Sequence, residues 1–278
     1  MISRRALLAS GGALAAAAFS ARAAAPRVTL TGSMEQGSLI VGHTEPSARV
    51  LFDDAPLHIS PEGLFACGLE WNRTGAAHLS TQFADGSSEA HEISPVLRTY
   101  NVQHVNGLPP NTVTPPADVL ERIHREAEII GEARRKDSDA IWFAHPFDWP
   151  APGIMSGIFG SQRVDNGQSM SPHMGVDMAN VEGTPIRAPA NATVLISDDY
   201  YLDGGFTLLD HGHGVSTSYL HQSKRLIKAG DVVQRGQVIG LMGKTGRATG
   251  PHLHWAMNWF QVKLDPSRST RTPAPPRV

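Results

Sequence analysis

His252-Leu253-His254, inside the run Gly250-Pro-His-Leu-His-Trp255, sets two imidazoles two residues apart near the end of a 278-residue chain. In an extended strand successive side chains alternate faces, so both histidines point one way while Leu253 points into a core. One of the pair can ligate a metal while its neighbour handles protons beside it. Upstream, His173-Met-Gly-Val-Asp177 places an imidazole and a carboxylate four residues apart. Two neutral imidazoles and one carboxylate, with water in the fourth position, form a frequent ligand set for catalytic zinc. Either pair alone is a weak signal; together they read as a zinc hydrolase. Seven of the 13 histidines fall in the second half of the chain (His145, His173, His211, His213, His221, His252 and His254), several beside glycines that favour tight turns.

These residues need a rigid frame, and the pattern around them is that of strands. From Ile141 onward Thr193–Ile196, Phe206–Asp210, Ser216–His221, Asp231–Val233, Val238–Met242 and His252–Asn258 are strand candidates, and no long helical period intervenes. Residues 141–270 are expected to form a C-terminal antiparallel β-sheet domain, followed by a flexible tail at 271–278. Residues 26–110 show short strands separated by turn clusters such as Pro61-Glu-Gly63 and Asp85-Gly86, the pattern of a small β-sandwich. Its histidines (His43, His58, His78, His91, His104) lack ligand spacing and are expected on the solvated surface. Between the two, residues 111–140 form a linker and an amphipathic connecting helix over Ala117–Lys136. Thr114 is its cap, Pro115 stands in its first turn, and Leu120, Ile123, Ala127 and Ile130 form its apolar stripe. Mixed charges on that helix favour packing on a domain over a membrane surface. The fold class is therefore mostly β, with one connecting helix.

Composition narrows the partners. The hydrophobic fraction is 41%, the charged fraction 18% and the formal net charge −2, which argues against nucleic acid. Residues 1–25 have the form of a signal peptide: Arg4-Arg5, an apolar run from Ala6 to Phe19, and the small-residue site Ala21-Arg22-Ala23. Ser3-Arg-Arg-Ala-Leu-Leu8 looks like a twin-arginine signal for folded cargo. The run is shorter than the roughly 20 apolar residues of a membrane span, so no membrane anchor is expected after cleavage. Loss of this segment removes three arginines and takes the formal charge from −2 to −5. A periplasmic location is the expectation. Cys67 is the sole cysteine, which rules out an intramolecular disulfide and suggests a buried strand residue.

A longer series of blocks occurs in order through the second half. They are His173-x-Gly-x-Asp177, Gly183-Thr-Pro185, Asp210-His-Gly-His-Gly214, Thr217-Ser-Tyr-Leu-His221, Gly230-Asp-Val-Val-Gln-Arg-Gly-Gln-Val-Ile-Gly240, Gly243-Lys-Thr-Gly246 and Thr249-Gly-Pro-His-Leu-His-Trp255. From about Phe159 to Trp259 the chain resembles the lysostaphin/LytM-type zinc endopeptidases, which cleave peptide cross-links of bacterial cell walls. The N-terminal part is similar to the noncatalytic domains that precede this peptidase in exported proteins. The resemblance implies one zinc ion per chain, held by His173, Asp177 and His254, with His221 and His252 as catalytic histidines. His211 and Tyr219 would be auxiliary, and Tyr219 would share a strand face with His221. His213 has no counterpart and is expected in a solvated turn. The implied substrate is peptidoglycan stem peptides, at D-alanyl–diaminopimelyl bonds or glycine bridges, the Gram-negative style of export favouring the former; the protein partner is unknown.

Three other readings compete. A catalytically silent LytM-type binding module or activator of cell-wall amidases would have lost a ligand, and none is lost. The Gly230–Gly240 hairpin resembles those of biotinyl and lipoyl carriers, but Lys244 lacks the carrier lysine's setting. A purely structural zinc would be closed and cysteine-rich. The polar segment Arg163–Pro172 ahead of the first ligand is expected to loop over the groove.

Overall fold

Val50, Phe52, Ala77, Leu79, Phe65 and Cys67 occupy the inward positions of short strands, and their burial welds two antiparallel sheets face to face. One sheet comprises Thr29–Thr31, Leu39–His43 and Leu64–Gly68; the other comprises Ala55–Pro56, Arg49–Phe52, Ala77–Gln82 and Ser88–Ile93. The computed structural model describes residues 26–277, so the signal segment at residues 1–25 lies outside the described residues. Among the described residues no helix is long and apolar enough to cross a membrane.

The second half is built on an eight-stranded sheet. Its strands run in the order Val232–Val233, Ala192–Tyr200, Gly204–Gly212, Val215–Gln222, His252–Trp259, Val176–Ala179 and Ile154–Gly157, all antiparallel; Val262–Leu264 takes the rest of the edge of His252–Trp259. Strict alternation gives this sheet two different faces. Leu253, Trp255 and Met257 join Val176, Met178, Tyr219, Phe143 and Ile239 in a dry core. Asp177, Leu220 and His254 are direct cross-strand neighbours and point to the opposite face. A smaller sheet of Pro185–Arg187, Val238–Leu241 and Lys224–Arg225 flanks the first.

The connecting helix spans Ala117–Ala133 and lies on the groove face of the large sheet, where Ile130 and Ala133 meet Ile196, Leu208 and Leu220. Its buried stripe is turned from the one read in the sequence. Leu120 is 40% exposed and Ala127 is exposed, while Glu126 is drawn inward by accepting the Tyr201 N–H at 2.8 Å and pairing with Arg122. Thr114 is not the cap of this helix. It terminates a separate short helix, Pro110–Val113, donating its N–H to Pro110, and Pro116 precedes the long one. Two consecutive prolines cannot continue the first helix, which divides the segment.

Past the sandwich, the chain pairs Val102–Val105 in parallel with Gln162–Asp165, which turns back on Gln168–Ser169. The segment from Arg163 thus begins as a strand, held by the linker of the first half. Phe52 meets Trp259 edge to face at 5.8 Å, and Arg98 pairs with the buried Asp265 at 2.9 Å, joining the halves away from the groove. His213, expected in a solvated turn, is 2% exposed and stacks on His58 with centroids 4.0 Å apart. His58 is not free on the surface either: its Nδ1 lies 2.8 Å from Asp137 of the linker. The last residues run against the body, with Met155 donating its N–H to Pro276 at 2.8 Å and Arg271 donating to Phe147 at 3.0 Å.

Candidate metal centre and active site

The antiparallel register places Asp177 directly opposite His254 and Ala179 opposite His252. His173 enters from the turn before the strand, four residues ahead of Asp177. Three ligand atoms then close a small triangle: His173 Nε2 to His254 Nδ1 is 2.9 Å, His254 Nδ1 to Asp177 Oδ1 is 2.9 Å, and His173 Nε2 to Asp177 Oδ1 is 3.0 Å. His173 directs its Nδ1 at the Ile158 carbonyl, 3.2 Å away, a contact that needs the proton on Nδ1 and leaves the Nε2 lone pair facing inward. Three convergent lone pairs on two imidazoles and a carboxylate fit a divalent metal, and His173, Asp177 and His254 form the one such cluster among the described residues.

Electrostatics keep these groups in ligating form. Burial alone would raise the Asp177 carboxyl, but the His173 and His254 rings outweigh it and hold that group well below the usual carboxylate range. Burial pushes His254 down to about 4 against the pull of Asp177, so the ring is neutral at pH 7. Two glycines make the packing possible. A Cβ on Gly175 would stand 2.5 Å from His254 Nε2, and one on Gly157 would stand 2.3 Å from Asp177 Oδ2.

His252 and His221 face each other beside the triangle with centroids 4.7 Å apart. His252 Nε2 is 3.9 Å from Asp177 Oδ1, while its Nδ1 reaches the Gly250 carbonyl at 2.9 Å. His221 Nδ1 likewise reaches the Thr245 carbonyl at 2.8 Å. Each contact places the proton on Nδ1 and a bare lone pair on Nε2. Burial, reinforced by His252 and His254, holds His221 well below the ordinary histidine value.

His221 arrives there through a backbone irregularity. Between paired residues Gly205 and Thr207 on one strand and Tyr219 and Gln222 on its neighbour, the second strand carries one extra residue. At this bulge His221 adopts φ 63°, a left-handed conformation that costs a non-glycine residue about 1–2 kcal/mol. The kink turns its ring to the groove face. Tyr219 therefore does not share a face with His221: it is fully buried in the core against Trp255. His211 is also on the core side, where it contacts the Thr217 hydroxyl at 2.7 Å, which contacts the Tyr219 hydroxyl at 2.8 Å. This chain braces the sheet from behind and does not reach the groove, so the face expected to be shared by Tyr219 and His221 is not formed.

Arg163 was not anticipated. It donates from Nη2 to Asp177 Oδ2 at 2.6 Å, occupying the carboxylate oxygen that the triangle leaves over. No spacing rule would have found it, because a separate strand carries it to the ligand. Clefts of about 260 Å³ and 220 Å³ open on either side, one bordered by His173, His221 and His254, the other by Asp177 and His252. Gln103, Val105 and Leu108, from the end of the first half, wall the second cleft.

Known proteins are similar to this chain over the region that carries the site. Residues 171–266 match peptidase family M23. Over 88 residues the chain is 43% identical to the peptidoglycan DD-endopeptidase ShyA of Vibrio cholerae, covering 32% of this chain and 20% of that protein. Over 113 residues it is 43% identical to an uncharacterized metalloprotease of Haemophilus influenzae, covering 37% of this chain and 23% of that one. The chain thus spans about a fifth to a quarter of the length of these relatives. A crystal structure assigned to peptidase M23 from Pseudomonas aeruginosa superposes with a TM-score of 0.64 at 28% identity, covering 84% of this chain and 92% of that one.

Proposed function

From residues 171–266, which form a peptidase family M23 domain, we infer that the chain is a zinc-dependent endopeptidase that hydrolyses peptide cross-links of peptidoglycan, at D-alanyl–diaminopimelyl bonds. The observation that carries this reading is the triangle of His173 Nε2, Asp177 Oδ1 and His254 Nδ1 with two bare imidazole nitrogens beside it. His173, Asp177 and His254 would hold the zinc, which when bound would supply Lewis acidity toward a peptide carbonyl and lower the pKa of water toward about 7. The protein's own residues do the rest. His252 or His221, each fixed as the Nδ1–H tautomer, accepts a proton from the attacking water at Nε2 and later returns it to the leaving amine. A ring that has taken the proton becomes a donor, able to hydrogen-bond the oxygen on which charge develops. Arg163 keeps Asp177 oriented and its second oxygen satisfied. The likeness to a peptidoglycan DD-endopeptidase supports the substrate class. The sequence of residues 1–25 supports export to the periplasm.

The test combines metal analysis with digestion of purified peptidoglycan by the chain from residue 26 onward. The expected result is near one zinc per chain and release of un-cross-linked muropeptides, both lost together in His254→Ala, His173→Ala and Asp177→Ala. Retention of zinc in these variants would overturn the ligand set; zinc without cleavage in the wild type would overturn the endopeptidase.

A further inference from the structure

Two arginines stand over the groove, and only one has a partner. Arg163 is committed to Asp177. Arg247 borders both clefts, the one beside His252 and the one beside His221 and His254. Its backbone is fixed, since its N–H donates to the Leu202 carbonyl at 2.8 Å. The preceding Gly246 sits at φ 70°, where an added Cβ would lie 2.4 Å from that same carbonyl oxygen. The loop therefore fixes the point from which the side chain leaves the backbone. Its guanidinium is partly buried, and among the described residues it makes no ion pair and no side-chain hydrogen bond. Burial lowers its pKa from the usual arginine value, while the charges of Asp165 and Asp203 act on it only from a distance. Asp165 is itself fully buried with both carboxylate oxygens unpartnered.

A partly buried guanidinium with no protein partner is free to receive an anion, and its planar fork matches a carboxylate through two parallel hydrogen bonds. In a D-alanyl–diaminopimelyl cross-link the carbon bearing the scissile nitrogen also bears a free carboxylate. A glycine bridge carries no charge at any interior position. We propose that Arg247 is the specificity-determining residue of the groove, binding the free carboxylate that flanks the scissile amide and so selecting diaminopimelyl cross-links over uncharged bridges. This rests on the endopeptidase reading above.

The experiment uses a synthetic cross-linked peptide dimer and its twin in which that one carboxylate is a carboxamide. Zinc-loaded wild type is expected to prefer the acid by roughly 10- to 100-fold in kcat/KM, the range for hydrogen bonds to a charged group. Arg247→Gln should bring the ratio to about one at unchanged zinc content, and Arg247→Lys should keep an intermediate preference, since the charge survives without the fork. A wild-type ratio near one, or a preference that persists in Arg247→Gln, overturns the proposal. Calorimetric binding of both dimers to His252→Ala, with and without Arg247→Gln, separates the two readings. If the wild type cleaves neither dimer, the endopeptidase reading fails. Binding of the acid form that is tighter only when Arg247 is present still supports the arginine, and equal affinities overturn it.

Discussion

His252 and His254 stand two residues apart on one strand face and yet differ in how their Nδ1 atoms are used. In His254 that atom belongs to the ligand triangle; in His252 it reaches the Gly250 carbonyl and leaves Nε2 bare. Replacing His252 should therefore leave the metal in place. His252→Ala is expected to retain zinc while turnover falls by about 10²–10⁴-fold, the usual contribution of a positioned acid–base group; paired metal analysis and kinetics check it, and unchanged turnover would remove His252 from the mechanism. Arg163 acts one step further out. Losing its hydrogen bond to Asp177 Oδ2 in Arg163→Ala should weaken zinc binding by about 10–100-fold, as is typical of groups that orient a ligand. Competition with a chromogenic chelator measures this, and an unaltered affinity would reduce Arg163 to a surface tie.

Strands position these groups through register, and two irregularities complete the work. Cross-strand pairing sets Asp177 against His254, and the bulge at His221 brings a residue that alternation would bury out to the groove. The approach of the strand segments is close enough that side chains are excluded at Gly175 and Gly157. Gly175 lies just before the strand Val176–Ala179, and a Cβ there would meet His254 Nε2 at 2.5 Å and the Trp255 carbonyl oxygen at 2.7 Å, so Gly175→Ala is expected to displace the His254 ring. Zinc affinity should drop by at least about 10-fold with an unchanged far-ultraviolet circular dichroism spectrum, in the range seen when a ligand's support is removed. Unchanged affinity would mean that the ring can move without loss. The helix Ala117–Ala133 contributes at this scale too, closing one end of the groove face with Ile130 and Ala133.

Across the whole molecule, buried neutral histidines tie stability to pH. Burial brings His211 down to about 4, against its hydrogen bond to the Asn191 carbonyl, and burial with the nearby His58 brings His213 to about 4 as well. Between the unfolded value of 6.5 and about 4 the unfolded chain binds more protons than the folded one. Their contribution is thus fully present above pH 6.5 and is lost as pH falls toward about 4. For the fully buried His211 the loss is on the order of 3 kcal/mol. Urea unfolding in the presence of a chelator, so that metal release does not enter, should show a midpoint that declines over this window. His211→Asn, which retains a donor toward Asn191, should have a shallower decline; equal slopes would exclude His211 as a source. His213 adds a second consequence, since it stacks on His58 of the sandwich and links the two halves.

The strand-rich second half, the sandwich pattern of the first and the candidate cluster of His173, Asp177 and His254 were legible in the sequence, because each depends on short-range order. A two-residue repeat puts His252 and His254 on one face wherever the strand lies, and apolar alternation marks the core. Residues whose role depends on contacts far along the chain were not. Tyr219 and His221 share a face under simple alternation, and only the bulge, formed against the neighbouring strand, separates them. His213 looks like a turn residue in a glycine-rich run, yet it is covered by His58, more than 150 residues earlier, and His211, read as auxiliary to the site, is fully buried behind the sheet. The helix stripe turned because Glu126 found the Tyr201 backbone, a partner 75 residues away. Local spacing determined which groups could bind a metal and move protons. Long-range packing decided which of them meet, and it brought Arg163 and Arg247 to the groove, because hydrogen bonds, desolvation and charge act through space and not along the chain.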